Sequence, residues 1–366
     1  MSRRPHIVIS LGDPCGIGPE LLLSSLEALQ RNAEITVVGC RAGVDLLRER
    51  PGARVGWQWQ NATQPLPEAF EGKAYTLQIL SKDDLAPRVL GEHLWLDPTP
   101  VITEAHLTLG VGSAASGRAT VEAIRLAAKL TMAGHADALV TLPMAKSAAH
   151  LAGYDLPGHT EFLRDLAGAA LTRMAFVSPR LNVVLHTVHQ SLRSVVENLC
   201  TDGVAETLIF SADQFIRLTG KRDLRVALCA LNPHAGEDGA FGNEEHLLEA
   251  ALVLARATFA ANGDMQPQFV GPLPSDSVFQ RASRGEFDLV IALYHDQGLI
   301  PVKLLEPEKA VNLTLGLPFI RTSPDHGTAF DKAGRWIADA RNFQEAVALA
   351  IRLIEVRRTG EPLPLA

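Results

Sequence analysis

Twelve histidines occur in the 366 residues, nine of them between His135 and His326. Three stand out by position. His189, His234 and His295 each come a few residues after a short apolar run, namely 182–185, 225–231 and 289–293. If these runs are parallel strands, three imidazoles arrive at one edge of one sheet. Neutral imidazoles with an open coordination position suit zinc or another divalent ion that polarises a hydroxyl or a carbonyl. One histidine alone is more often structural, but three at strand ends, with Asp276 and Asp296 nearby, argue for a metal site. His186 stands three residues before His189. In extended chain the two point to opposite faces, so only one readily faces the site, and His189 is preferred.

A second group could bind an anion. Gly158-His159-Thr160-Glu161 opens a helix. Thr160 there reads either as a helix cap or, with His159, as a hydrogen-bond donor to an anionic substrate at the helix N-terminus. Lys303, Asn312 and Arg321 follow His295, and the segment 321–328 concentrates polar side chains. Two cations and an amide are what a carboxylate or phosphate needs, and Arg can grip it with both arms of its fork. The glycine-rich turn 12–20 (GDPCGIGPE) fits neither the dinucleotide fingerprint nor the P-loop, and reads first as a tight turn.

These residues need elements to carry them. Apolar runs 7–11, 35–39, 138–142, 174–177, 182–185, 225–231 and 289–293 read as strands. Stretches 19–29, 116–133, 161–167, 191–199 and 243–257 read as helices. Residues 51–110, rich in proline, read as hairpins or loops. Alternating strands and helices predict an α/β fold with a mainly parallel sheet, whose ligands bind beyond the carboxyl ends of the strands. The length predicts two domains. Hydrophobic residues at 47% and charged residues at 20% exclude a disordered chain. The net charge of −7 gives no reason to expect nucleic acid or an anionic membrane surface. Four scattered cysteines, no apolar leader and no membrane-length apolar run predict a soluble, cytoplasmic protein.

Six segments carry a resemblance: 12–20 (GDPCGIGPE), 158–161 (GHTE), 231–237 (LNPHAGE), 271–276 (GPLPSD), 294–298 (YHDQG) and 312–323 (NLTLGLPFIRTS). In order and spread, they resemble the signature blocks of the 4-hydroxythreonine-4-phosphate dehydrogenase (PdxA) family. The resemblance implies two α/β/α domains with mainly parallel sheets, isocitrate/isopropylmalate dehydrogenase-like, with the active site in the interdomain cleft. The matching assignment is 1–135 plus 305–366 for the first domain and 136–304 for the second. It implies a homodimer and a divalent metal (zinc, magnesium or cobalt) held by His189, His234 and His295 of the partner subunit. It implies substrate contacts from His159, Thr160, Lys303, Asn312 and Arg321, catalytic roles for Lys303, Asp276 and Asp296, and NAD or NADP as cofactor. The implied reaction oxidises 4-phosphohydroxy-L-threonine to a β-keto acid that loses carbon dioxide, a step of pyridoxine 5′-phosphate biosynthesis. The alternatives are family relatives acting on 4-phospho-D-threonate or 4-phospho-D-erythronate, and a metal-dependent phosphate-ester hydrolase or lyase. Residues 51–100 match none of the blocks.

Overall fold

A computed structural model describes residues 3–48, 50–51, 57–61, 76–82, 93–261 and 265–364. In chain order the elements are β1 (His6–Ser10), α1 (Gly18–Leu29), β2 (Glu34–Val38), α2 (Arg41–Asp45), β3 (Trp57–Asn61), β4 (Thr76–Lys82), β5 (His93–Asp97), α3 (Ala114–Met132), β6 (Ala138–Thr141), α4 (Lys146–Leu151) and α5 (His159–Ala167). There follow β7 (Arg173–Val177), β8 (Val183–Leu185), α6 (Leu192–Glu197), α7 (Thr201–Thr219), β9 (Arg225–Cys229), α8 (Glu245–Ala260), β10 (Gln268–Leu273), α9 (Ser275–Ala282), β11 (Leu289–Ala292), α10 (His295–Leu305), β12 (Val311–Leu315), β13 (Ile320–Pro324) and α11 (Arg341–Thr359).

The chain divides into two compact units, Met1–Ala170 with Leu317–Ile354, and Leu171–Gly316 with Glu355–Ala366. In the first unit the strands run β13-β6-β1-β2-β5-β4-β3. The five from β13 to β5 are parallel, and β4 and β3 continue antiparallel. Hairpin strands therefore occupy part of the proline-rich stretch; the residues between them lie outside those described. The central parallel strands are apolar without alternation, as strands covered on both faces must be. Ala123, Ile124, Ala127 and Leu130 of α3 pack with Val8, Val38 and Leu139 of the sheet.

The second unit's strands run β10-β9-β11-β8-β7-β12. The first four are parallel, and β7 and β12 alternate in direction. Val183, Leu185, Ala227, Cys229, Val290 and Ala292 form its core with Val278 and Phe279 of α9 and Leu299 and Val302 of α10. Gly298 seats α10 on the sheet: a Cβ there would lie 2.7 Å from Leu185 Cδ2 and 2.9 Å from Val183 Cγ1.

The unit boundaries differ from the sequence expectation: residues 305–316 and 355–366, assigned above to the first domain, fall in the second unit, and residues 136–170, assigned above to the second domain, pack in the first. The reason for the latter is pairing: β6 lies between β1 and β13, parallel to both. No helix among the described residues is long and apolar enough to cross a membrane.

Candidate active site

Strand order puts the three histidines on one edge. β11 is flanked by β9 and β8, parallel to each, with Val290 opposite both Ala227 and Val183. Neighbouring strands lie about 4.8 Å apart, so the segments leaving their carboxyl ends converge. His189 comes after β8, His234 sits in the turn after β9, and His295 opens α10 after β11. The His189 and His295 rings stand 6.0 Å apart between centroids. His295 Nδ1 lies 2.7 Å from Asp296 Oδ1, which leaves Nε2 for another partner. The His234 ring lies 6.2 Å from that of Phe241. Among the described residues, one chain brings no set of three metal-ligating side chains together.

His186 takes the other direction. Its Nδ1 lies 2.7 Å from Thr207 Oγ1 on α7. Burial, helped by the Arg173 guanidinium, pushes its imidazole down to about 4. A half-buried neutral ring committed to a hydroxyl reads as a structural histidine.

Gln297 was not singled out by sequence, yet it ties the strand ends together. Its Nε2 donates to Ala230 O (2.8 Å) beyond β9 and to Ser275 Oγ (2.9 Å) at α9. Its Oε1 accepts from Leu293 N (2.6 Å) beyond β11. Asp276 is exposed in the first turn of α9. Lys303 is exposed on α10, eight residues and hence about 12 Å of helix rise beyond His295. Asn312 stands in β12 with its Oδ1 shielded from water and without a hydrogen-bond partner among the described residues.

The anion-binding candidates of the first unit also meet. Arg321 is buried in β13, and its Nε lies 3.2 Å from Thr141 Oγ1 at the end of β6. Burial draws its guanidinium down to about 10, opposed by the Glu161 carboxylate. His159 is the first residue of α5. Burial, then Arg321, then Lys146 hold its imidazole well below the usual histidine range, so it is neutral. Its Nε2 is shielded and finds no partner among the described residues. Thr160 is buried beside it but does not cap the helix, because Gly158 is the N-cap. Gly158 allows a close approach: a Cβ there would lie 2.9 Å from Glu161 Oε2 and 3.8 Å from Lys146 Nζ.

Lys146 is thus a member of this cluster that sequence reasoning passed over. Its signal was present, since Pro143–Lys146 comes directly after β6. Among the described residues no carboxylate forms an ion pair with it. The turn 12–20, by contrast, is structural. Asp13 N donates to Pro143 O, Gly16 N to Asp13 O, Ile17 N to Thr328 O and Cys15 N to Asp13 Oδ1, so these four amides are committed within the protein.

Parallel strands whose carboxyl ends carry imidazoles define an α/β protein of the kind that binds its ligands beyond those ends. The chain belongs to the PdxA family: the family model of the pyridoxal phosphate biosynthetic protein PdxA matches residues 60–350. A 4-hydroxythreonine-4-phosphate dehydrogenase of Geobacter metallireducens is 38% identical over 365 residues, 99% of each chain. A D-threonate 4-phosphate dehydrogenase of Cupriavidus necator is 38% identical over 347 residues, 94% of this chain and 95% of the other. The crystal structure of a 4-hydroxythreonine-4-phosphate dehydrogenase from Klebsiella pneumoniae superposes with a TM-score of 0.77 at 33% identity, covering 96% of this chain and 99% of that one. The chain is accordingly an oxidoreductase of a dehydrogenase family, and membership implies a nicotinamide cofactor and a divalent metal.

Proposed function

We propose that the protein oxidises 4-phosphohydroxy-L-threonine with NAD or NADP and a divalent metal, giving 2-amino-3-oxo-4-(phosphooxy)butanoate. This β-keto acid then loses carbon dioxide to give 3-amino-2-oxopropyl phosphate. The observation that carries the reading is the delivery of His189, His234 and His295 by the carboxyl ends of three adjacent parallel strands. The donor set fits a divalent ion: imidazole nitrogens, one of them braced by a carboxylate. When bound, the ion would supply Lewis acidity to the substrate's hydroxyl and later to its ketone. The nicotinamide would accept the hydride from the carbinol carbon.

The chain's own residues would do the rest. Arg321, Lys146, His159 and Thr160 would bind the substrate's anionic and hydroxyl groups, and Asn312 would offer its unpartnered Oδ1 to the substrate's ammonium. Lys303 Nζ is the chain's candidate acceptor for the hydroxyl proton, alongside a water on the metal. Asp296 orients His295, and Asp276 is the remaining carboxylate candidate. The reading includes a homodimer in which His295 of the partner subunit completes the metal site. Exposed Ile300 and Leu304, one turn apart on α10, suit such an interface. All four cysteines are free, which suits a reducing cytoplasm.

Oxidation of 4-phospho-D-threonate is the second reading, because relatives named for each substrate share the same identity with this chain. The test is reduced-nicotinamide absorbance with 4-phosphohydroxy-L-threonine, 4-phospho-D-threonate and 4-phospho-D-erythronate, each with NAD and NADP and with zinc, magnesium or cobalt. Fastest turnover of the first substrate is expected. Preference for another substrate moves the assignment within the family, and no reduction with any of them overturns it.

A further inference from the structure

His234 is carried by a turn of the less favoured hand. His234, Ala235, Gly236, Glu237 and Asp238 run consecutively at φ of 53°, 54°, 81°, 42° and 52°. Four of the five bear a Cβ, which the left-handed region disfavours. Such a run persists only where its surroundings over-determine it, and it marks places where geometry matters.

The surroundings are visible. Asn232, just before the turn, donates its backbone N–H to Glu245 Oε1 (2.8 Å). Its side-chain Nδ2 donates to Glu245 Oε2 (3.0 Å) and to Glu244 Oε2 (2.8 Å). Glu245 is buried at the start of α8, and among the described residues no cation forms an ion pair with it. The turn folds down onto this latch. A Cβ on Gly236 would lie 2.7 Å from Glu245 Oε2, and one on Gly242 would lie 2.4 Å from Asn232 Nδ2. Phe241 N closes the turn by donating to Gly236 O at 3.1 Å. A buried carboxylate whose hydrogen bonds all go to the residue preceding the turn has no role in the chemistry proposed above.

We propose that Asn232 and Glu245 are positioning residues for His234. Their two-point latch holds the segment His234–Asp238 in its left-handed form and so sets the imidazole at the carboxyl end of β9, ready for a metal before one arrives. This rests on the reading of His234 as a ligand, and the experiment separates the two.

The probe is Co2+ alone, titrated into the metal-free full-length protein and followed by its visible absorption, beside the melting temperature of each variant. Glu245→Ala and Asn232→Ala are expected to bind Co2+ about 10–100-fold more weakly, the usual loss when a group behind a metal ligand is removed. Their metal-free melting temperatures should stay within a few degrees of the wild type. Glu245→Gln, which keeps an acceptor for Asn232 N, should bind with intermediate affinity. Should Glu245→Ala fail to fold, Glu245→Gln and Asn232→Ala decide. Wild-type Co2+ affinity in the latch variants, with affinity lost in His234→Ala, overturns the latch and leaves the ligand assignment standing. Wild-type affinity in His234→Ala overturns the ligand assignment itself.

Discussion

Asp296 Oδ1 lies 2.7 Å from His295 Nδ1 in the first turn of α10. The carboxylate accepts the Nδ1 proton, so the lone pair on Nε2 is the one presented outward. Asp296→Asn should weaken zinc or cobalt affinity about 10–100-fold and lower turnover at limiting metal. Unchanged affinity would show that His295 needs no such brace.

His186 and His189 should separate cleanly. His189→Ala is expected to abolish turnover with little change in melting temperature. His186→Ala should keep metal affinity and cost about 1–3 kcal/mol of stability, through the lost hydrogen bond to Thr207 and the space left behind. The reverse pattern would exchange their roles.

Arg321→Lys keeps the charge and loses the planar fork. The Michaelis constant should rise about 10–100-fold, corresponding to about 1.5–3 kcal/mol for a charge-assisted contact, with a smaller effect on kcat. Lys146→Met should raise it similarly for a phosphorylated substrate, and Lys146→Arg should restore much of the loss. An unchanged constant in Lys146→Met would remove Lys146 from the site.

Shared metal sites predict complementation. His189→Ala and His295→Ala are each expected to be inactive. Mixed and allowed to exchange subunits, they should regain activity, because about half the dimers then hold one site with all three wild-type ligands. Exchange verified with differently tagged subunits but without activity would place all three ligands in one chain.

Asp13 predicts a pH dependence. Burial raises its carboxyl from 3.8 to about 6, against hydrogen bonds from Cys15 N and Ser116 Oγ. A carboxyl raised in the folded state contributes stability at low pH and loses it as pH rises through the folded value. From pH 4.5 to 7.5 the unfolding free energy of Asp13→Asn should therefore gain about 2 kcal/mol on the wild type. A difference that stays flat, measured by urea unfolding, would mean the Asp13 carboxyl is not raised.

Local pattern carried much of this protein. Unbroken apolar runs such as Ile7–Ile9 and Leu289–Ala292 announced strands buried on both faces, and each came within a residue or two of its place. The strand-end rule then picked out the histidines, because the residues that leave a strand at its carboxyl end are the next few in the chain. The motif blocks supplied the family on their own. Other features depend on residues far apart in the chain. Segment 136–170 joins the first unit because β6 pairs with β1 and β13, some 130 residues before it and 180 after. Lys146 meets Arg321's cluster by the same pairing. His186 turned away because Thr207, on a helix still to come, stood ready to receive it. The left-handed turn at His234 needed the buried carboxylate of Glu245 beneath it. Side-chain periodicity is a property of neighbours along the chain and is legible there. Which strands lie side by side, and which polar group finds its partner, is settled by the non-local burial that only the folded molecule achieves.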